Sequence, residues 1–193
     1  MARPTSEEKR KAILDAAERL VAETGTGVST AKIARAAGVA EGTVFVYFET
    51  KSMLMNALLG TLEAELAAAF SVGSRPGDGG RGDIRHVWDR LIAWGSAHPA
   101  KWRALKRLKV SEYITEASRR EMDALFGELI AMLAETIRRH AGDAIAPDYA
   151  GVVLNALAEV TFERIAAEPD RSRHYTDLGF NFFWNGITAG KSG

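Results

Sequence analysis

The chain has 193 residues, with 25 Lys or Arg, 25 Asp or Glu and 47% apolar side chains. These values are typical of a globular protein with one domain or two small ones, and they exclude a collagen-like or disordered chain. The lack of cysteine excludes thiol catalysis, thiolate zinc sites and disulfide frameworks. No stretch approaches about 18 uninterrupted apolar residues and the first residues contain no signal-peptide core, so we expect a cytoplasmic protein with no membrane partner.

Apolar residues recur with the helical period of 3.6 along the chain, which predicts an all-α fold of about nine helices. The first predicted helix runs from about Ser6 to Thr24, two short helices follow, and a longer helix runs from Thr50 to about Phe70. The glycine-rich stretch from Ser71 to Gly82 is predicted to be a flexible loop. The remaining predicted helices are bounded by Pro, Gly or capping residues: Gly82–Ala97, Pro99–Val110, Glu116–His140, Pro147–Ala167 and Arg171–Ala189.

The stretch from Ser29 to Lys51 predicts a helix-turn-helix. Ser29 can cap a short helix that places Ile33 inward, and Gly38 can supply the positive φ of a tight turn. A second short helix then begins near Ala40 or Glu41. Two short helices joined by a tight glycine-containing turn are the arrangement that presents a helix to DNA.

The second short helix has an inner and an outer side. Val44 and Phe48 lie four residues apart and must both face the core, which leaves Phe45 and Val46 outside. Two neighbouring apolar side chains exposed to solvent indicate that this side of the helix binds a partner. A helix presented in this way fits the major groove of B-DNA, where apolar groups touch thymine methyls.

The runs from Ser29 to Val39, Gly42 to Phe48 and Lys51 to Leu54 resemble the DNA-binding domain of the TetR family of bacterial repressors. The resemblance implies a three-helix DNA-binding domain in residues 1–51 and a helical ligand-binding and dimerisation domain in residues 52–193. It also implies a homodimer on a near-palindromic operator of double-stranded DNA, from which a small ligand releases it. The implied phosphate contacts are Thr30, Thr43, Tyr47 and Lys51, and the implied base contacts are Glu41, Gly42, Phe45 and Val46.

Two positions depart from the family pattern. Phe45 stands where the family commonly has Tyr, which removes one phenolic hydrogen bond. Ala40 stands where Ser or Thr usually caps the recognition helix, and this should cost about 1 kcal/mol of helix stability. Both changes concern the detail of the DNA contacts and leave the motif intact.

The last two predicted helices are apolar on two faces, so each must be buried on both sides. We expect a second copy of the chain to cover the outer faces by pairing two helices with two. A helix packed deep within one copy is the alternative. The expected dimer interface consists of Ala150, Leu154, Ala158, Phe180, Phe183, Trp184 and Ile187.

Aromatic side chains on the middle helices are either core or the wall of a ligand pocket. The resemblance implies a ligand site among these helices, and aromatic walls with a few polar groups suit a small, mostly apolar molecule. Asn155, Glu159 and Glu163 either line solvent or form the polar edge of that pocket. The candidate pocket residues are Leu58, Leu62, Trp88, Leu91, Trp102, Met122, Phe126, Asn155, Glu159 and Phe162.

The other charged groups suggest no further chemistry. His86 and Asp89 have the spacing of a metal pair, but the sequence places no third ligand, so neither a metal nor a cofactor is expected. The basic run from Lys101 to Lys109 surrounds a one-sided apolar stripe and is typical of a solvated helix face. No catalytic constellation emerges.

The sequence therefore predicts a ligand-responsive transcriptional regulator, most simply a repressor, that is not an enzyme. Two alternatives remain open. One is a ligand-independent DNA-binding protein, and the other is an all-helical enzyme that binds a small molecule.

Overall fold

A computed structural model describes residues 5–71, 80–142 and 145–189, and all regular structure within these ranges is helical. The α-helices are α1 (Ser6–Thr24), α2 (Thr30–Ala36), α3 (Glu41–Tyr47), α4 (Lys51–Ser71), α5 (Arg81–Ala97), α6 (Pro99–Lys109), α7 (Glu116–Ala141), α8 (Pro147–Ala167) and α9 (Ser172–Ala189). The all-α prediction is confirmed for the described residues. Most of the predicted loop between Ser71 and Gly82 lies outside them.

The helix ends follow local signals in the sequence. Thr5 and Glu8 form a reciprocal capping box at the start of α1, and Gly25, with a φ of 89°, ends that helix. Proline is the first residue of α6 and of α8, where its missing N–H costs no helical hydrogen bond. Helix α9 begins at Ser172 because Pro169–Arg171 forms a short 3-10 turn ahead of it.

The chain divides into two compact units. Unit 1 contains Met1–Glu65 and His98–Ala124, and unit 2 contains Leu66–Ala97 and Leu125–Gly193. Helices α4 and α7 contribute residues to both. The predicted DNA-binding domain, residues 1–51, lies within unit 1 together with α6, and its functional boundary after Lys51 stays a prediction.

Unit 1 is built around α1, which packs on α2 and on α6. Ile13 and Val21 of α1 and Leu105 and Leu108 of α6 are buried. Arg107 of α6 donates a hydrogen bond at 2.9 Å to the Val21 carbonyl oxygen, which also accepts from the Gly25 backbone N–H. The basic run on α6 thus surrounds a buried apolar stripe, with Arg103 and Lys106 exposed and Arg107 bonded to α1.

Helix α4 is long and apolar enough to cross a membrane by length and composition alone. Its largest aliphatic stripe is packed inside the protein, since Leu54, Leu58 and Leu62 are at most 1% exposed. A buried core helix has the same length and composition as a membrane-spanning one.

Unit 2 is built from helices that approach closely at glycine. A Cβ atom on Gly179 of α9 would lie 2.6 Å from Thr161 Oγ1 of α8 and 2.6 Å from the Trp88 ring of α5. Trp88 is fully buried, and its indole N–H donates to the Thr176 carbonyl oxygen at 2.8 Å. Only glycine permits this approach of three helices, and the result is a dense core.

One copy of the chain already buries most of the residues expected at the dimer interface. Trp184 is half-buried and is the exception. The six others are each at most 6% exposed in a single chain: Ala150, Leu154, Ala158, Phe180, Phe183 and Ile187. Both terminal helices do have two apolar faces, and the residues expected at the interface lie mostly on the face that packs inside the chain.

Candidate nucleic-acid interface

Helices α2 and α3 form the predicted helix-turn-helix. The Ser29 side chain accepts a hydrogen bond from the Lys32 backbone N–H at 3.3 Å and so caps α2. Gly38 has a φ of 69°, a conformation that favours glycine. Val44 and Phe48 are buried, which fixes the side of α3 that faces the protein.

The opposite side of α3 is open to solvent. Phe45 is 43% exposed and Val46 is 80% exposed, while Glu41 and Gly42 are exposed beside them. Thr43 and Tyr47 are half-buried on the flanks. The four residues expected to face bases therefore lie on the exposed part of α3, and the two expected to contact phosphates lie on its half-buried flanks.

Neighbouring elements hold the two ends of α3. The Thr30 hydroxyl donates to a Glu41 carboxylate oxygen at 2.8 Å, which joins the starts of α2 and α3. The Tyr47 hydroxyl accepts from the Ser6 hydroxyl at 3.2 Å, at the start of α1. Ala40 forms no side-chain cap, as predicted, and Glu41 places a negative charge at the positive end of the α3 dipole.

Lys51, the last predicted phosphate contact, rests on a residue that sequence reasoning did not find. Its ammonium nitrogen lies 3.3 Å from the Tyr113 hydroxyl and 4.5 Å from the centroid of the Tyr113 ring. Tyr113 belongs to the connection between α6 and α7, so no local spacing pattern relates the two positions. Only the fold brings them together.

The predicted ligand-pocket residues are divided between the two units and differ in exposure. Trp102, Met122, Phe126, Glu159 and Phe162 are half-buried. Asn155 is exposed, and its amide donates to the carbonyl oxygen of the preceding turn at 3.0 Å. Four are buried in the cores of their own units: Leu58, Leu62, Trp88 and Leu91. Trp88 thus lies in a core within this chain, and Asn155 faces solvent.

Unit 2 does contain an open groove of about 400 Å³ beside one predicted residue, Phe126. The rings of Phe70 and Phe126 meet edge to face, with centroids 6.3 Å apart. The lining residues are Ala67, Phe70, Ser71, Leu125, Phe126, Glu128 and Leu129. Phe126 is a candidate pocket residue from the sequence, whereas Phe70 joins it only through the fold.

Helix α4 carries a buried carboxyl group that sequence reasoning did not single out. Glu63 is 3% exposed, and its Oε1 atom has no hydrogen-bond partner among the described residues. Burial raises the pKa of Glu63 to about 7; the positive charge of Lys109 opposes this shift and the negative charge of Asp123 adds to it. Glu63 follows Met55 and Leu59 at four-residue steps, a spacing that places it on an apolar side of the helix.

Of the possible metal pair His86 and Asp89, Asp89 is already bound by another side chain. Both Asp89 carboxylate oxygens accept hydrogen bonds from Arg85 Nε, at 2.8 and 2.9 Å. Over residues 5–71, 80–142 and 145–189, no three His, Cys, Asp or Glu side chains come together as a set of metal ligands.

Comparison with known sequences and structures agrees with this geometry. Residues 13–58, which contain α2 and α3, match the model of the family described as bacterial regulatory proteins, tetR family. A protein from Shewanella sp. PV-4 assigned to the tetR family of transcription regulators is 27% identical, with a TM-score of 0.76 over 92% of this chain and 97% of that chain.

Two further structures extend the likeness in fold. A TetR family transcription regulator from Marinobacter aquaeolei VT8 is 22% identical, with a TM-score of 0.76 over 93% of this chain and 95% of its own. NalD, the secondary repressor of the MexAB-OprM multidrug efflux pump in Pseudomonas aeruginosa, is 27% identical, with a TM-score of 0.56 over 96% of each chain. The helix-turn-helix segment thus matches the tetR family model, and the chain as a whole has the all-helical fold of TetR family transcription regulators.

Proposed function

We propose that the chain is a ligand-responsive repressor that acts in the cytoplasm. It binds a near-palindromic operator as a homodimer and is released by a small, mostly apolar molecule. The observation that carries DNA binding is the exposed apolar pair Phe45 and Val46 on a helix whose other side is buried. Apolar groups in the major groove discriminate bases through the thymine methyl.

Each contact residue has a role that follows from its position. Gly42, Phe45 and Val46 face the base edges, and Thr43, Tyr47 and Lys51 donate to phosphates on the flanks. Thr30 and Glu41 are hydrogen-bonded to each other, so Thr30 can donate to a phosphate only after that bond is broken. Because the Glu41 carboxylate repels phosphates, its role is to accept hydrogen bonds and to reject unsuitable sequences.

Binding-site selection from a random duplex library tests the base contacts. The wild-type protein should select a near-palindrome. Val46→Ala should relax the preference at one position of each half-site by about 1–3 kcal/mol. Ile130→Ala is the matched control, because Ile130 is an exposed apolar residue of α7 in unit 2. Selection of no sequence by the wild-type protein would refute operator binding, and an unchanged profile for Val46→Ala would remove Val46 from base contact.

The salt dependence of binding tests the phosphate contact of Lys51. Lys51→Ala should weaken binding to selected and random duplexes alike and lower the salt slope by about one unit. Lys106→Ala removes the same charge from the exposed side of α6 and should leave the slope unchanged.

The homodimer is proposed on a face different from the one expected from sequence. On α8, Tyr149, Val152 and Val160 form one exposed stripe, and on α9, Leu178 and Phe182 form another. These side chains are between 41% and 65% exposed in a single chain. Exposed apolar side chains concentrated on two adjacent helices mark a protein-binding surface, and a second copy offers the same surface in return.

Sedimentation equilibrium at micromolar concentration tests this surface. The wild-type protein should be a dimer, and Phe182→Glu should be a monomer that retains its helical content. Ile130→Glu introduces the same charge at another exposed apolar position and should remain a dimer. A monomeric wild-type protein, or a dimeric Phe182→Glu variant, contradicts the proposed interface.

The ligand is proposed to bind in the groove beside Phe126 in unit 2. Its volume falls in the range of known ligand sites, and five of its seven lining residues are apolar. Helix α4 begins at Lys51 and carries Ala67 and Phe70 of the groove, so one continuous helix reaches from a proposed DNA contact to the proposed ligand site. A ligand releases DNA only if it binds more tightly to the conformer that fits the operator less well.

The neutral fluorophore N-phenyl-1-naphthylamine serves as an apolar probe for this groove. It should bind saturably, and Ala67→Phe should abolish binding by filling the groove. Ala68→Phe is the matched control, since Ala68 is exposed and does not line the groove. Selected operator DNA should weaken probe binding by the factor by which the probe weakens DNA binding, about 5- to 150-fold. Equal probe affinities with and without operator contradict ligand-induced release.

These experiments also separate the two alternatives. A ligand-independent DNA-binding protein would show operator binding that no apolar probe alters. An enzyme would keep its activity in the Val46→Asp variant, which leaves the core intact. Deleting residues 1–51 is a poor test, because α1 covers Leu105 and Leu108 of α6 within unit 1.

A further inference from the structure

The connection between α6 and α7, residues 110–115, is bound to the first turns of α4. The Tyr113 carbonyl oxygen accepts hydrogen bonds from Ser52 Oγ at 2.7 Å and from Asn56 Nδ2 at 2.8 Å. The Thr115 backbone N–H donates to Asn56 Oδ1 at 3.0 Å. Three hydrogen bonds hold the backbone on both sides of Tyr113, so this residue is fixed relative to the start of α4.

The Tyr113 side chain in turn holds Lys51, the first residue of α4. The Lys51 ammonium donates to the Tyr113 hydroxyl at 3.3 Å and lies 4.5 Å from the ring centroid. An ammonium over an aromatic ring gains a cation–π attraction. Two interactions with one side chain select one rotamer of a lysine that would otherwise sample many, and this lowers the entropy that a phosphate contact must overcome.

The pair still has protons to donate. An ammonium has three N–H groups and Tyr113 takes one of them. The phenolic O–H of Tyr113 donates to no acceptor among the described residues of the chain. Both groups are half-buried and therefore partly open to solvent. Two donors 3.3 Å apart can bind two oxygens of the same phosphate.

We propose that Tyr113 positions Lys51 for the operator and donates its own hydroxyl proton to the same phosphate. The DNA interface of this protein thus includes the connection between α6 and α7, outside the helix-turn-helix. This inference rests on the proposed function, because it requires Lys51 to contact DNA. In the opposite role, Tyr113 would keep Lys51 away from DNA. The experiment below distinguishes the two roles, because the opposite role predicts tighter binding when the Tyr113 hydroxyl is removed.

Equilibrium binding by fluorescence anisotropy tests the inference in the full-length protein, with selected and random duplexes at several salt concentrations. Tyr113→Phe keeps the ring and loses the hydroxyl, and it should weaken binding to both duplexes by about tenfold. The salt slope should not change, since no charge is lost. Tyr113→Leu, which also removes the ring, should weaken binding further. In the Lys51→Ala background, Tyr113→Phe should have a smaller effect than in the wild-type protein, because the two residues act on one phosphate.

Tyr175 provides a matched control in unit 2. Its hydroxyl accepts a hydrogen bond from Arg164 at 3.1 Å, and the Arg164 guanidinium lies 5.2 Å from its ring centroid. Tyr175→Phe therefore removes the same kind of hydroxyl-to-cation bond and should leave DNA affinity unchanged. Circular dichroism shows whether each variant is folded. If the Tyr113→Leu variant does not fold, the comparison of Tyr113→Phe with the wild-type protein is sufficient to test the inference.

Two results overturn the inference. Unchanged affinity in Tyr113→Phe removes the hydroxyl from the interface, and tighter binding assigns Tyr113 the opposite, withholding role. If Lys51→Ala still lowers the salt slope in either case, the proposed function stands and only the role of Tyr113 falls. If the wild-type protein selects no DNA sequence, the proposed function itself falls.

Discussion

Glu63 makes the free energy of unfolding depend on pH. The substitution Glu63→Gln measures this dependence, because it removes the ionisable group. Burial raises the pKa of Glu63 from 4.5 to about 7 in the folded protein. Below pH 4.5 the carboxyl is protonated in both the folded and the unfolded chain, so it costs no stability there. Between pH 4.5 and 7 the unfolded chain loses its proton while the folded protein keeps it, and stability falls as pH rises. Above pH 7 the loss levels off at about 3 kcal/mol.

Glu63→Gln removes the ionisation and nearly preserves the shape of the side chain. The variant should therefore be more stable than the wild-type protein by about 3 kcal/mol at pH 8, and by almost nothing at pH 4.5. Thermal unfolding should show a gain of about 2–4 °C per kcal/mol. Glu112→Gln, at an exposed position, is the control and should give the same small difference at both pH values. A pH-independent difference for Glu63→Gln refutes the assignment of burial as the cause.

Three further substitutions test particular contacts. Gly179→Ala should lower the free energy of unfolding by about 1–3 kcal/mol, because its Cβ meets buried atoms. Gly186→Ala is the control, since its Cβ meets open space, and it should not destabilise the protein in thermal unfolding. Ala40→Ser should raise the free energy of unfolding by about 1 kcal/mol in urea titrations by capping α3, and no gain would show that the missing cap is already compensated. Glu41→Gln keeps an acceptor for Thr30 but removes a negative charge, so it should tighten binding to random DNA, and weaker binding would contradict the repulsion.

Local signals in the sequence were sufficient for the elements and for the helix-turn-helix. Capping residues, proline and glycine act within one or two turns, so the bounds of α1 and α8 and the turn at Gly38 could be predicted. The four-residue spacing of Val44 and Phe48 determined which side of α3 is buried. That choice correctly left Phe45 and Val46 exposed.

Only the tertiary structure decided which neighbour covers each apolar face. Periodicity gives the angular position of a residue on its helix, but a helix that is apolar on two sides offers no local sign of which side the same chain covers. Phe183 is buried and Phe182 is exposed for this reason. Trp88 is core because Gly179 lets α9 approach it. Lys51 meets Tyr113 across 62 positions of sequence, a contact that depends on the packing of the intervening helices and leaves no trace in local spacing.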